Sequence, residues 1–255
     1  MSTMQIDLNC DMGESFGAYT IGADEALMPF ITSANIACGY HAGDPRVMQR
    51  TIQLAIQHGV ALGAHPGFRD LEGFGRRVMD ATPDEIESDV LYQIGALDAF
   101  ARAAGKKLMH VKPHGALYNL AVVKLQVARA IANAVKRFDP HLIFVGLAGS
   151  SMIDVACELG LRVAREGFCD RVYAPDGKLM SRREENSLIT DPQQAARQAW
   201  QLVSEQTVTA ASGGQVSMMV DTLCIHGDSP NAPAIARAVR ETLEKNGVLV
   251  SAFDQ

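Results

Sequence analysis

Short apolar runs alternate with amphipathic stretches along the whole chain. The runs are Met4–Leu8, Ala34–Cys38, Val60–Ala64, Leu108–Val111, Leu142–Leu147, Leu161–Ala164 and Leu223–Ile225. Each is too short for a helix, and most are aliphatic or β-branched, as strands buried on both faces of a parallel sheet are. The stretches between them carry helix signals. Asp44-Pro45 opens one helix and Gly59 closes it, with Met48, Ile52 and Ile56 on one face. Thr82-Pro83-Asp84-Glu85 is a capping box with proline in the first turn. There the threonine hydroxyl and the glutamate carboxylate can each satisfy a backbone N–H that the helix leaves free. Its buried stripe is Ile86, Val90, Ile94 and Leu97, and Gly105 ends it. Val123, Val127, Ile131 and Val135 predict a third helix, Ser151 to Glu158 a fourth, Asp191-Pro192 the start of a fifth, and Asn231 to Lys245 a last one. A weaker helix around Asp24–Ile31 is interrupted by Pro29, and Val208–Val216 predicts a small hairpin.

Seven βα units in 255 residues are the rhythm of a parallel α/β fold, read as one domain over 1–255. The rhythm is compatible with a seven-stranded (β/α) barrel and with an open doubly wound sheet. No GxGxxG follows the first strand, which counts against the dinucleotide-binding form of the open sheet. The turn Gly146-Leu147-Ala148-Gly149-Ser150-Ser151 leads into a helix but lacks the lysine of a Walker loop, so it reads as a tight turn and N-cap. Two connections, 65–77 and 166–186, are longer than a βα loop needs. Both follow strands, on the face where parallel barrels place their chemistry.

The C-terminal ends of the runs are consistently polar. The first strand leads to Asn9, Asp11 and Glu14, the second to His41, the third to His65, the fourth to Lys112 and His114, the sixth to Glu166 and the last to His226. A parallel barrel brings those ends together, so these residues are expected to form one pocket. Asp11, His41, His65, Lys112 and His114 are the expected catalytic residues, because carboxylate and imidazole support acid–base chemistry and a lysine steadies developing negative charge. Asn9, Glu14, Arg76, Glu166 and His226 are the expected substrate-binding residues, with Arg76 and its neighbour Arg77 suited to clamping an anion. Asp11, His41 and His65 also have the ligand types for a hydrolytic divalent metal. They lie on three different strands without a local spacing such as HxxxH, so no metal is assigned.

Composition narrows the partners. The net charge of 23 − 29 = −6 is spread without a basic cluster, which argues against nucleic acid and membrane surfaces. No apolar segment is long enough to span a bilayer, and the opening MSTMQIDLNCDMGE does not look like a secretory leader. The five cysteines show no CxxC spacing and predict neither a disulfide framework nor a zinc–cysteine site, which fits a reducing cytoplasm.

Four composite motifs add a resemblance. DLNCDMGESFG (Asp7 to Gly17), SANIACGYHAGDP (Ser33 to Pro45), GAHPGFRDLEGFGRR (Gly63 to Arg77) and VKPHGALYN (Val111 to Asn119) resemble the LamB/YcsF family in the expected order. The resemblance extends to His226-Gly227-Asp228 and so covers nearly the whole chain. It implies a seven-stranded (β/α) barrel-like domain related to polysaccharide deacetylase-type barrels. It also implies one subunit of an ATP-dependent 5-oxoprolinase, cleaving 5-oxo-L-proline to L-glutamate with release of ADP and phosphate, in company with subunits B and C. With no Walker motif in this chain, phosphoryl transfer is expected to need those partners, ATP being used together with them. Two other readings compete. A metal-dependent deacetylase-type hydrolase would pair its first-strand aspartates with an HxxxH after the second strand, whereas His41 is followed by Gly43, Asp44 and Pro45. A non-catalytic subunit would bind the lactam and present it to its partners.

Overall fold

The computed structural model describes residues 4–229 and 231–253; residues 1–3 and 254–255 of the expected 1–255 span, and residue 230, lie outside the described residues. In chain order the elements are β1 (Gln5–Met12), α1 (Asp24–Leu27) running into a 3₁₀ turn (Met28–Phe30), β2 (Ser33–Ala37), α2 (Pro45–His58), β3 (Ala61–His65) and α3 (Pro83–Ala103). Then come β4 (His110–Val111), α4 (Gly115–Val123), α5 (Leu125–Phe138), β5 (Ile143–Leu147), α6 (Ser151–Glu158) and β6 (Arg162–Phe168). The chain finishes with α7 (Pro192–Ser204), β7 (Thr207–Thr209), β8 (Gln215–Ser217), β9 (Thr222–Ile225), α8 (Ala232–Lys245) and β10 (Leu249–Val250).

Strands β1 to β6 and β9 pair in parallel in that order, and β9 returns to β1, so seven strands close into a barrel. Closure rules out the open sheet that the rhythm had left possible. Strand β10 adds to the lower edge of β1 through Gln5 and Ile6, and β7 and β8 form the antiparallel hairpin expected near Val208–Val216. The helix signals hold locally. The Asp44 carboxylate accepts from the Arg46 and Val47 amides, Gly59 ends α2 at φ 69°, and the Thr82/Glu85 capping box is formed on both sides.

Two expectations change. The helix expected from Val123 is two helices, broken where Lys124 adopts an extended backbone; Val123 ends α4 and is exposed. Helix α4 is apolar on nearly every side, so it offers no stripe to a periodicity test. Second, β1 and β6 run further than their apolar runs, so Asn9, Asp11 and Glu166 lie inside strands rather than after them.

The reason is that these strands have two different faces. Leu8, Cys10 and Met12 of β1 join the buried apolar cluster that also holds Ile36, Leu62, Ile52 and Val239, which lie between barrel and helices. The alternate residues Asp7, Asn9 and Asp11 point the other way. Asn9 reaches Glu166 and Lys112 reaches Asp11, contacts that only the barrel interior allows between non-adjacent strands. That interior is stacked in polar levels. At the bottom Asp7 accepts from Thr32, Ser33 and Thr222; burial pushes its carboxyl up to about 6 despite these hydrogen bonds. Above it, Asn35 donates to Asn9 and Asp11 and accepts from the His110 ring. His110 fills the space over Gly63, where no Cβ would fit, and burial pushes its imidazole down to about 3. Ile143, Val145 and Ala164 form a separate small apolar group covered by Phe253, whose ring meets His110 edge-on.

Candidate active site

At the upper level of the barrel Lys112 is the hub. Its ammonium lies 2.8 Å from Glu166 Oε1 and 3.0 Å from Asp11 Oδ1, with Asn9 Oδ1 at 3.2 Å and Cys224 Sγ at 3.0 Å. Burial alone would favour a neutral amine, but the two carboxylates reverse this and hold the lysine well above its ordinary range. Burial likewise opposes the Asp11 charge, yet His65 and Lys112 beside it hold that carboxyl well below the usual range. Glu166 is fully buried and also accepts from the Tyr118 hydroxyl at 2.8 Å.

Three histidines stand beside this hub. His65 is the last residue of β3, His114 caps α4, and His41 follows β2. His41 and His114 stack with ring centres 3.8 Å apart, and His65 sits edge-on to both. His65 Nδ1 contacts the Lys112 carbonyl at 2.7 Å and His114 Nε2 the Phe74 carbonyl at 2.9 Å. Glu14 reaches in from the turn after β1; burial and the nearby Asp11 and Asp228 push its carboxyl well above the ordinary range. Burial pushes both His41 and His114 well below theirs, so these rings are neutral.

The long connection after β3 lies over the histidines. Gln93 of α3 clamps Gly67 through both its backbone groups, at 2.9 Å each. Asp70 accepts from the Gly73 and Arg77 amides and from the Arg77 guanidinium, so Arg77 is a brace for the loop. Phe74 is held at φ 56°, a conformation costly for a bulky side chain, with its ring edge-on to His41 and His114. Gly75 passes so close that a Cβ would sit 2.7 Å from His41 Cβ and 2.8 Å from the His114 ring, which is why only glycine fits there.

The opposite wall carries a second pair. His226 Nδ1 lies 2.9 Å from Asp170, which also accepts from the His226 amide and the Ser229 hydroxyl. Burial works against the Asp170 charge, but His226 holds it below the ordinary carboxylate range. Burial also lowers His226, against the pull of Asp170, so the ring is a neutral base held by its Nδ1. Between the two walls lies a cavity of about 600 Å³, lined by Asp11, Glu14, His65, Lys112, His114 and His226 and walled by Tyr118 and Phe168. Its outer lining is cationic: Arg76, Lys178, Arg182 and Arg183 border it, and Arg171 lines it from a buried position. Arg76 and Arg182 share Asp228 at 2.5 and 3.7 Å.

The fold therefore brings most of the expected residues to one cavity. Asn9, His41 and Glu166 do not line it: Asn9 and Glu166 support Lys112 from below, and His41 stands behind His114. Asp170, Tyr118, Arg182 and Asp228 belong to the site and were not singled out from the sequence. Asp170 closely follows β6 and Arg182 lies in the second long connection, so chain position was the available signal. Among the described residues, two groups have metal-ligating types converging: Glu14, His41, His65 and His114, and separately Asp11, Cys224 and His226.

A closed parallel barrel with a carboxylate–imidazole cavity at the C-terminal ends of its strands is an enzyme-type α/β barrel. Residues 6–255 match the LamB/YcsF family, and the chain belongs to that family. It is 55% identical over 248 residues to the A subunit of 5-oxoprolinase from Symbiobacterium thermophilum, covering 97% of this chain and 95% of that one. The crystal structure of the lactam utilization protein from Thermus thermophilus superposes with a TM-score of 0.93 at 54% identity, covering 98% of this chain and all of the other. A family 4 carbohydrate esterase from Streptomyces lividans aligns at a TM-score of 0.49 and 12% identity, over 99% of this chain and 95% of that one.

Proposed function

We propose that this chain is the subunit of a 5-oxoprolinase that binds 5-oxo-L-proline and opens its ring to L-glutamate, in an ATP-dependent reaction shared with subunits B and C. The names of the relatives supply the substrate. One observation supports the chemistry: a single cavity joins a cationic outer lining to Asp11 and to the Asp170–His226 pair. The substrate carboxylate suits Arg76 and Arg182, which then exchange Asp228 for it. The lactam extends toward Asp11, which Lys112 keeps ionised and which orients the ring through its N–H. Asp170 fixes His226 by its Nδ1 and leaves its Nε2 for the cavity. That nitrogen takes a proton from the attacking water and passes it to the ring nitrogen as the C–N bond breaks.

The residues of this chain do not fit a nucleotide loop at the Gly146–Ser151 turn. The Ser150 hydroxyl is bound to the Leu147 carbonyl at 2.7 Å and the Ser151 hydroxyl to the Val122 carbonyl at 3.0 Å, so neither is aimed at a phosphate. Phosphoryl chemistry is therefore assigned to the partner subunits, and no step here passes through ATP. Among the described residues no helix is long and apolar enough to cross a membrane. All five cysteines are unpaired, which suits a cytoplasmic chain acting as one domain.

The test is reconstitution with purified subunits B and C and measurement of ATP-dependent glutamate formation. Asp11→Asn and His226→Gln should each lower kcat by about 100-fold or more while circular dichroism is unchanged. Near-normal turnover in both variants would sink the catalytic assignment. Calorimetric binding of 5-oxoproline to the chain, combined with such turnover, would leave it a lactam-presenting subunit.

A further inference from the structure

The arrangement of Glu14, His41, His65 and His114 is poorly explained by proton sharing alone. A backbone carbonyl can only accept, so His65 donates its Nδ1–H to Lys112 and His114 its Nε2–H to Phe74. With both rings in that single-proton form, the remaining nitrogens, His65 Nε2 and His114 Nδ1, would turn lone pairs toward each other at 2.9 Å. Glu14 Oε1 lies 3.4 Å from His114 Nδ1 and 3.5 Å from His41 Nε2, long for hydrogen bonds. Among the described residues, Glu14 Oε1 and both ring nitrogens of fully buried His41 have no hydrogen-bond partner. Leaving such groups unmatched in a buried site is destabilising.

The ligand atoms of all four side chains lie within 4.8 Å of one another. Around a tetrahedral ion with bonds of about 2.0–2.1 Å, neighbouring ligand atoms sit roughly 3.3–3.4 Å apart. The separations of 2.9 Å between His65 Nε2 and His114 Nδ1 and of 3.4 Å between His114 Nδ1 and Glu14 Oε1 bracket that edge. His41 is stacked on His114 with the ring planes 4° from parallel, so the in-plane lone pairs of those two rings do not meet at one point. We infer that Glu14, His65 and His114 form a binding site for one divalent transition-metal ion of the zinc type, with a fourth position left for water. Two imidazoles and one carboxylate suit such an ion, whereas calcium and magnesium favour all-oxygen sites. The Lys112 and Phe74 carbonyls are its outer partners, fixing the tautomers that aim both lone pairs inward. This also accounts for the left-handed backbone of Phe74, whose carbonyl orients a ligand. Glu14, His65 and His114 line the cavity, so the ion borders it. The site holds whether or not the substrate is 5-oxoproline.

The competing account is an imidazolium at His65 bonded to Asp11 Oδ2, 3.3 Å away. It resolves the facing lone pairs but leaves Glu14 Oε1 unmatched. The two are separated by titrating the full chain, made without a polyhistidine tag and stripped with chelator, with Co²⁺. Expected is one equivalent bound per chain with the intense visible absorption of tetrahedral cobalt, displaced by Zn²⁺. Glu14→Gln and His114→Asn, checked for fold by circular dichroism, should each weaken binding by about 10- to 100-fold. If either variant fails to fold, ¹⁵N NMR of the unsubstituted chain serves instead: Zn²⁺ should shift His65 Nε2 and His114 Nδ1. Sub-stoichiometric binding, a weak octahedral spectrum, affinity unchanged by both substitutions, or an imidazolium signal at His65 that Zn²⁺ does not alter would each overturn the site.

Discussion

Replacing Lys112 with methionine keeps the volume of the side chain and removes its charge. In the folded chain the ammonium is 3.0 Å from Asp11 and 2.8 Å from Glu166, with only 3% of its side chain exposed. With an effective dielectric constant of about 20, each contact corresponds to roughly 5–6 kcal/mol of gross attraction. Desolvation of the ammonium cancels much of that, and removing one partner of a buried pair costs about 3–5 kcal/mol because the other is stranded. Lys112→Met strands two. A loss of about 4 kcal/mol at pH 7 is therefore expected, against the 5–15 kcal/mol typical of a domain. The loss should also depend on pH. In the unsubstituted chain the Asp11 carboxyl is depressed, so its contribution is present above about pH 4 and disappears only in stronger acid. Without Lys112 the Asp11 carboxyl keeps His65 but loses its other close cation and moves up from its depressed position, so the variant draws less stability from that carboxylate than the parent does. The gap between the two proteins should thus narrow as pH falls from 7 toward 3, and Glu166→Gln added to Lys112→Met should recover part of it. Urea unfolding followed by circular dichroism measures all of this. A loss under about 1 kcal/mol at pH 7, or a gap that does not change with pH, would refute the picture of Lys112 as an indispensable counter-charge.

Gly63→Ala forces a methyl into the His110 ring that Asn35 holds at 2.8 Å, and overpacking plus a broken buried hydrogen bond should cost about 3 kcal/mol in a urea melt. Adding His110→Ala should then cost less than the sum of the two single losses; strict additivity would contradict the clash. Asp7, raised from 3.8 to about 6, favours the folded state fully below pH 4 and loses that contribution as pH rises through 6. The stability of Asp7→Asn relative to the parent chain should therefore climb by about 3 kcal/mol between pH 4 and pH 7, and a flat difference would exclude the buried protonated carboxyl. Arg182→Ala should raise KM for 5-oxoproline by about 10-fold or more in the reconstituted assay and leave kcat within a few-fold, as lost charge-assisted binding does. An unchanged KM would remove it from the carboxylate site.

The sequence by itself determined the number and order of the βα units, the caps at Asp44 and Thr82, the free cysteines and the neighbourhood of the site. Each of these is a local property: hydrophobic period, side-chain capping, or position relative to a strand end. It also placed Asp11, His65, Lys112, His114 and His226 near one mouth, because parallel strands carry their C-terminal ends to the same side. What it could not assign were roles that depend on distance across the barrel. Lys112 reads as a free cation in the sequence, yet two carboxylates from β1 and β6 enclose it. Asn9 and Glu166 read as substrate contacts, yet strand alternation turns them inward beneath the lysine. Arg77 reads as an anion clamp, yet Asp70 holds it as a loop brace. His41 and His114 lie 73 positions apart, and only barrel closure and the Phe74–Gly75 crossing stack them. Sequence spacing specifies which face of a strand a residue occupies; the closed ring decides which other residue it meets there.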